Sequence, residues 1–161
     1  LPNAGKSSLL ASITNANPKI ANYQFTTLNP NLGVASYDDK EITLADIPGL
    51  IEGAHEGTGL GIQFLKHIER CKTLLHLIDI TNHDLEAAYN QVKNELKNYS
   101  QDLLKKKELI VLNKVDLIDD ELVKEIIKEF SKKIHGEIIT LSTLEKKSVS
   151  KIKSKLISYV A

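Results

Sequence analysis

A three-layer α/β fold, with a mostly parallel sheet flanked by helices, is the architecture this sequence predicts, on three observations. Strand-like and helix-like apolar periodicities alternate along the chain. The run ELIVLN (108–113) is apolar without alternation, as a strand covered on both faces is. The length, 161 residues, suits one domain with a real core, spanning 1–161.

The elements follow in order. A helix is expected over residues 8–15, ending near Asn17-Pro18, and then a long polar loop over 18–31. LGVASYD (32–38) and EITLAD (41–46) read as strands joined through Asp38-Asp39-Lys40, a hairpin signal. Residues 47–61 hold Pro48 and five glycines and read as a second loop. A helix over 62–71 leads into the strand TLLHLID (73–79). Leu85, Ala88, Tyr89, Val92, Leu96 and Tyr99 form the inward stripe of the next helix. After strand 108–113, Leu122, Val123, Ile126, Ile127 and Phe130 stripe another helix. EIITLS (137–142) is the last strand, and Val149, Ile152, Leu156 and Val160 stripe the last helix.

Composition narrows the function classes. Twenty-one basic and 21 acidic residues cancel, so bulk charge gives no argument for nucleic-acid binding. The lysines of the last third are interleaved with acids at helical spacing and read as a solvated face. The single cysteine, Cys71, excludes an internal disulfide and fits a reducing, cytoplasmic setting, with the thiol packed rather than reactive. No apolar run approaches the length of a membrane span.

Four stretches carry chemistry. The opening LPNAGKSS supplies all but the leading glycine of the phosphate-loop pattern G-x-x-x-x-G-K-[ST]. In it, Leu1, Pro2, Asn3, Ala4, Gly5, Lys6, Ser7 and Ser8 would surround phosphate oxygens at a helix N-terminus, with the backbone N–H groups, which Pro2 lacks, as donors. Lys6 would neutralise the β- and γ-phosphates, and Ser7 would coordinate Mg2+. The chain contains no methionine and Leu1 falls inside this motif. Residues 1–161 are therefore expected to be a fragment whose first strand lies outside it and which folds poorly alone.

The second stretch is Asp46-Ile47-Pro48-Gly49, closing a strand. There an acid can hold Mg2+ through water and the glycine N–H can meet the terminal phosphate. The bland alternative is a tight turn, since Pro-Gly is turn chemistry. The third is Asn113-Lys114-Val115-Asp116, closing the buried strand. The Asp116 carboxylate can accept two hydrogen bonds from guanine N1–H and its amino group, a donor pair adenine lacks. The Lys114 stem can cover the purine, and Asn113 can tie this loop to the phosphate loop. The fourth is Ser142-Thr143-Leu144, whose amides can meet guanine O6. On the loop FTTLNPNLG (25–33), a threonine hydroxyl can bind Mg2+ only while the terminal phosphate is present, a switch by ordering.

With these residues assembled, the chain resembles the GTPase domain of the Obg/CgtA family of ribosome-associated GTPases. YQFTTLNPNLGV (23–34) and DIPGLIEGAHEGTGLGIQFLKHIERC (46–71) carry the resemblance most specifically. It implies a Ras-like G domain of the P-loop NTPase class, with Thr27 as the switch threonine on Mg2+. Phe25, Thr26, Thr27, Leu28 and Asn29 would line the nucleotide, and Ser142 to Leu144 the guanine. Lys66 stands where arginine is usual and Thr143 where alanine is usual. The resemblance further implies flanking domains, GTP and GDP as ligands, guanosine tetraphosphate binding, and a role in large ribosomal subunit assembly.

Lys6, Thr27 and Gly49 are the residues expected to carry GTP hydrolysis. Leu50 stands where many GTPases have a water-orienting glutamine, so slow turnover is expected. Glu52 and His55 are polar candidates for that role, against simple solvent contact. Arg70, the only arginine, reads as structural, and His67 and His76 as packing residues. P-N-A-G-K-S also resembles the loops of potassium-activated GTPases, in which Asn3 would help hold K+; the alternative is that Asn3 only shapes the loop.

Overall fold

The computed structural model describes residues 4–14, 19–20, 31–45 and 69–160. Helix α1 (Lys6–Ile13) is followed by the short β1 (Lys19–Ile20) and the hairpin β2 (Asn31–Tyr37) and β3 (Lys40–Ala45). Next come β4 (Thr73–Asp79), α2 (Leu85–Tyr99), the one-turn α3 (Gln101–Leu104) and β5 (Lys107–Asn113). A 3-10 turn (Val115–Leu117), α4 (Asp120–Lys133), β6 (Glu137–Leu141) and α5 (Lys146–Val160) complete the chain.

Two three-stranded sheets form among the described residues, β1-β2-β3 antiparallel and β4-β5-β6 parallel. The parallel sheet has the expected α/β character, and the hairpin sits where the aspartates signalled it. Tyr37 pairs with Lys40, and Asp38 and Asp39 take φ of 52° and 59°. Positive φ at both central residues is the turn whose twist matches a hairpin, and aspartate tolerates it better than most side chains do.

Three layers follow from the alternation of β5. Leu109 and Val111 pack with α1 and α5, through Leu9, Ile13, Val149, Ile152 and Leu156. Ile110 and Leu112 pack with α2 and α4, through Ala88, Tyr89, Val123 and Phe130. Ala35 of β2 and Ile42 of β3 join the first cluster, so the hairpin shares a core with the parallel sheet. Where β2 crosses α1, a Cβ on Gly33 would lie 2.2 Å from the Thr14 methyl, so only glycine allows that approach.

Local chemistry sets several ends. Asp84 caps α2 by accepting from the Ala87 N–H at 2.8 Å. Helix α4 has Asp120 and Glu121 in its first turn and Lys132 and Lys133 in its last, complementing the helix dipole. Leu122 of its expected stripe is exposed, at 45 %. It lies on the first turn, one position before the buried Val123. Arg70 is exposed in a turn and forms no ion pair with a described residue, which gives no support to a structural role. The Cys71 thiol is half-buried and pushed up by that burial, against the opposing pull of Lys106, consistent with an unreactive group. No helix among the described residues is long and apolar enough to cross a membrane.

A buried polar cluster lies at the start of β5. Glu108 accepts from His76 Nδ1 at 3.0 Å, from the Tyr89 hydroxyl at 3.1 Å and from Lys93 Nζ at 2.8 Å. His76 stacks on Tyr89 with ring centroids 5.2 Å apart, as a packing residue with one polar tie. Burial pushes the Glu108 carboxyl up, but its bonds to His76 and Lys93 outweigh this and bring it down to about 2. A carboxyl lowered on folding contributes stability above its unfolded pKa and loses it as pH falls toward the folded value. Denaturation of the full-length protein between pH 7 and pH 2 is expected to show a loss on the order of 3 kcal/mol from this group. The loss should be concentrated below about pH 4.5. Glu108→Gln should be less stable at neutral pH and flatter over that range; a variant as acid-sensitive as the native protein contradicts the assignment.

Candidate functional site

The candidate residues converge at the carboxyl ends of the parallel strands and the N-terminus of α1. Gly5 is the N-cap of α1 with φ of 93°, and a Cβ there would lie 2.4 Å from Asn113 Nδ2. Backbone conformation and space both demand glycine at this position. Among the described residues no side chain caps α1, and no acid lies in its first turn, so Lys6, Ser7 and Ser8 present a helix N-terminus suited to an anion. All three are exposed.

Asn113 closes β5 and is 1 % exposed. Its Nδ2–H donates to the Ala4 carbonyl at 2.9 Å, linking residues 109 apart in sequence. This is the tie between the two loops that the spacing led us to expect. The next residue, Lys114, takes the left-handed conformation (φ 65°) and caps the 3-10 turn that carries Asp116. Asp116 is exposed, and no described residue bonds to its carboxylate. That leaves two acceptor oxygens open to a ligand.

Two residues that the sequence reading missed hold this loop. Asp79, at the end of β4, pairs in register with Asn113. Its Oδ2 lies 2.6 Å from Lys114 Nζ, while its Oδ1 accepts from the Thr81 N–H at 2.9 Å and the Thr81 hydroxyl at 2.7 Å. Burial pushes the Asp79 carboxyl up, and the bonds from Lys114 and Thr81 bring it below the usual carboxylate range. Ser148, in the first turn of α5, accepts from the Ser142 N–H at 2.9 Å. This corrects one expectation: the Ser142 amide is already committed. The Thr143 and Leu144 amides, which no described residue occupies, remain as donors. Asp79 lay in an ordinary strand ending, and only the register of β4 on β5 shows what it faces.

Asn113 Oδ1 and Ser142 Oγ are buried without a partner among the described residues. They sit at neighbouring strand ends, since Asn113 pairs with Leu141. Each such group costs about 1–3 kcal/mol unless something satisfies it. Two orphaned polar atoms beside an uncapped helix N-terminus and an open carboxylate fit a polar ligand with an anionic end. For Mg2+ the fit is with Ser7, exposed in the first turn of α1. No group of three or more His, Cys, Asp and Glu gathers among the described residues to hold a metal by itself. Leu1, Pro2, Asn3, Phe25, Thr26, Thr27, Leu28, Asn29, Asp46, Ile47, Pro48, Gly49, Leu50, Glu52, His55 and His67 lie outside the described residues.

The Asp79–Lys114 pair generates a prediction. Asp79→Asn removes the charge that holds Lys114 while leaving Asp116 untouched. GDP binding by calorimetry is expected to weaken about tenfold or more, the scale of a lost charged hydrogen bond, with guanine still preferred over adenine. Native affinity in this variant would show that Lys114 needs no such support.

Comparison with known proteins agrees with this geometry. The family described as 50S ribosome-binding GTPase matches residues 1–114. GTPase Obg of Pelagibacter ubique is 78% identical over all 161 residues, which make up 49% of its length. GTPase Obg of Rickettsia felis is 55% identical over 152 residues, covering 94% of this chain and 46% of that protein. The chain thus spans about half the length of the curated relatives it matches. Among solved structures, the G domain of the T. maritima FeoB iron transporter superposes with a TM-score of 0.72. It has 21% identity and covers 99% of this chain and 94% of that one. A putative nucleolar GTP-binding protein 1 of Plasmodium falciparum gives a TM-score of 0.67 at 22% identity, over 99% and 81% of the two chains. These two likenesses show the Ras-like G-domain fold, and the sequence matches show more: the chain belongs to the 50S ribosome-binding GTPases, and among them to the Obg family.

Proposed function

We propose that this chain binds Mg·GTP and hydrolyses it slowly to GDP and phosphate, as a switch acting in large ribosomal subunit assembly and growth control in the cytoplasm. The observation that carries the nucleotide reading is the Asn113–Ala4 hydrogen bond. It supports a single site in which a phosphate-binding helix N-terminus and a base-reading carboxylate act on one ligand.

In that site the amides of residues 4–8 hold the phosphate chain and Lys6 neutralises the β- and γ-oxygens. Asp116 reads the guanine edge, Lys114 covers the purine face, and the Thr143 and Leu144 amides meet O6. Ser7 and Thr27 would hold Mg2+, with Asp46 acting through water, and the metal would supply neutralisation of the phosphate charge. The Gly49 amide meets the terminal phosphate, against which water attacks in line. Positioning and charge stabilisation supply most of the rate. Leu50 can neither orient water nor stabilise charge, which supports slow intrinsic turnover. A K+ held by Asn3 would add the missing charge; equal turnover in sodium and potassium removes that part of the reading.

A second reading, a GTP-responsive ribosome-binding module in which hydrolysis only resets the state, is favoured by the family description, 50S ribosome-binding GTPase. Strong stimulation of single-turnover hydrolysis by large subunits favours the regulated enzyme, and none favours the module. Guanosine tetraphosphate, by the Obg resemblance, is a further ligand for the same pocket.

Nucleotide competition tests the primary reading. GDP and GTP are expected to displace a fluorescent guanine nucleotide from the full-length protein, and ATP to fail. Asp116→Ala should cost on the order of a hundredfold or more in affinity, through loss of two charge-assisted bonds. Equal competition by ATP, or native affinity after Asp116→Ala, would overturn it.

A further inference from the structure

Helix α5 breaks a rule that α4 obeys. Its 15 residues hold Lys146, Lys147, Lys151, Lys153 and Lys155 and no acid. Two of these lysines stand in the first turn, where the helix dipole disfavours cations, and none stands in the last. Lys147 and Lys151 are four residues apart on one face, about 6 Å along the axis, so they repel each other as well. Lys155 pairs with Glu137, and the Tyr159 hydroxyl bonds to the same carboxylate. Lys146, Lys147 and Lys151 are exposed and form no ion pair with a described residue. Ser150 and Ser154, also exposed, lie among them. The expected interleaving of lysines with acids is present in α4 and absent within α5, although Lys146, Lys147 and Lys151 are exposed as expected.

One acid, Glu145, stands at the helix N-terminus, where its carbonyl accepts from the Val149 N–H at 3.1 Å, but within the helix no acid answers the exposed lysines, and a dense negative partner would. The apolar face of α5 is already buried, with Val149, Ile152, Leu156 and Ile157 in the core against α1 and the sheets. The helix therefore has no free hydrophobic side to insert into a bilayer, and what it presents is cations and hydroxyls. That is the footprint of binding to a phosphate backbone, in which lysines fix position and serines add hydrogen bonds.

We propose that the exposed face of α5, through Lys146, Lys147 and Lys151, docks the phosphate backbone of structured RNA. This deepens the ribosomal reading and rests on it for the source of the polyanion, the RNA of the large subunit. The face begins on either side of Ser148, whose hydroxyl holds the Ser142 amide. A partner on α5 therefore binds the helix whose Ser148 also anchors the turn at Ser142.

The test uses the full-length protein and purified large ribosomal subunits, with binding measured between about 50 and 200 mM salt. The triple variant Lys146→Gln, Lys147→Gln, Lys151→Gln is expected to bind about tenfold or more weakly at the low end. Its log–log salt slope should be reduced by about two to three. Lys124→Gln, Lys128→Gln, Lys132→Gln on α4 serves as the control of equal charge change and should bind as the native protein does. GDP affinity reports that the domain is intact. If the triple variant loses it, Lys151→Gln alone, a turn away from Ser148, should still lower the slope by about one. A native slope in the α5 variants, an equal loss in the α4 control, or tighter binding to phosphatidylglycerol vesicles than to subunits would overturn the α5 face. A native protein that does not bind subunits at all would overturn the ribosomal reading along with it.

Discussion

One hydrogen bond, from the Asn113 side chain to the Ala4 carbonyl, makes a single site out of two loops. Asn113 is almost wholly buried, so its amide has no water to fall back on, and the bond is correspondingly costly to leave unmade. Gly5 follows from it, because any Cβ at that position would collide with the same amide. The N-terminal end of α1 and the turn after β5, proposed to hold phosphate and base, are therefore set at a fixed separation by contact. Preorganisation of that kind reduces the ordering that a nucleotide has to drive when it binds.

Strand β5 is the backbone of this arrangement. Its alternate residues fill both cores, its last residue is Asn113, and its second is Glu108. At the far end Glu108 ties β4 and α2 together through His76, Tyr89 and Lys93. At the near end Asp79 and Asn113, paired in register, hold the Lys114 turn and the Ala4 carbonyl at the start of α1. Both polar clusters depend on the parallel register of β4 on β5, and a slip of one residue would exchange the faces and break each of them.

Much of this was legible in the residues. The alternation of periods gave the α/β class, Asp38-Asp39 gave the hairpin, and Asn113 was marked as the link between loops by its motif. Helix α1 starts two residues earlier than its apolar pattern suggests, because Gly5 in the left-handed region ends the loop and begins the helix at Lys6. The one-turn α3 and the 3-10 turn went unseen because neither is long enough to show a period. Asp79 and Ser148 went unseen for a different reason. Their partners, Lys114 and the Ser142 amide, are brought to them by strand register and helix docking, and a linear pattern contains neither. The lysines of α5 were visible, but that no acid separates them within the helix becomes plain only once the helix ends are known.

The central claim is that the Asn113 bond couples phosphate and base binding. Affinities of GDP, guanosine and pyrophosphate for the native protein and for Asn113→Ala measure that coupling directly. Loss of the link is predicted to weaken GDP by about tenfold or more while leaving the two halves, guanosine and pyrophosphate, bound nearly as weakly as before. A variant that lacks the Asn113 amide and yet binds GDP with native affinity would contradict the account.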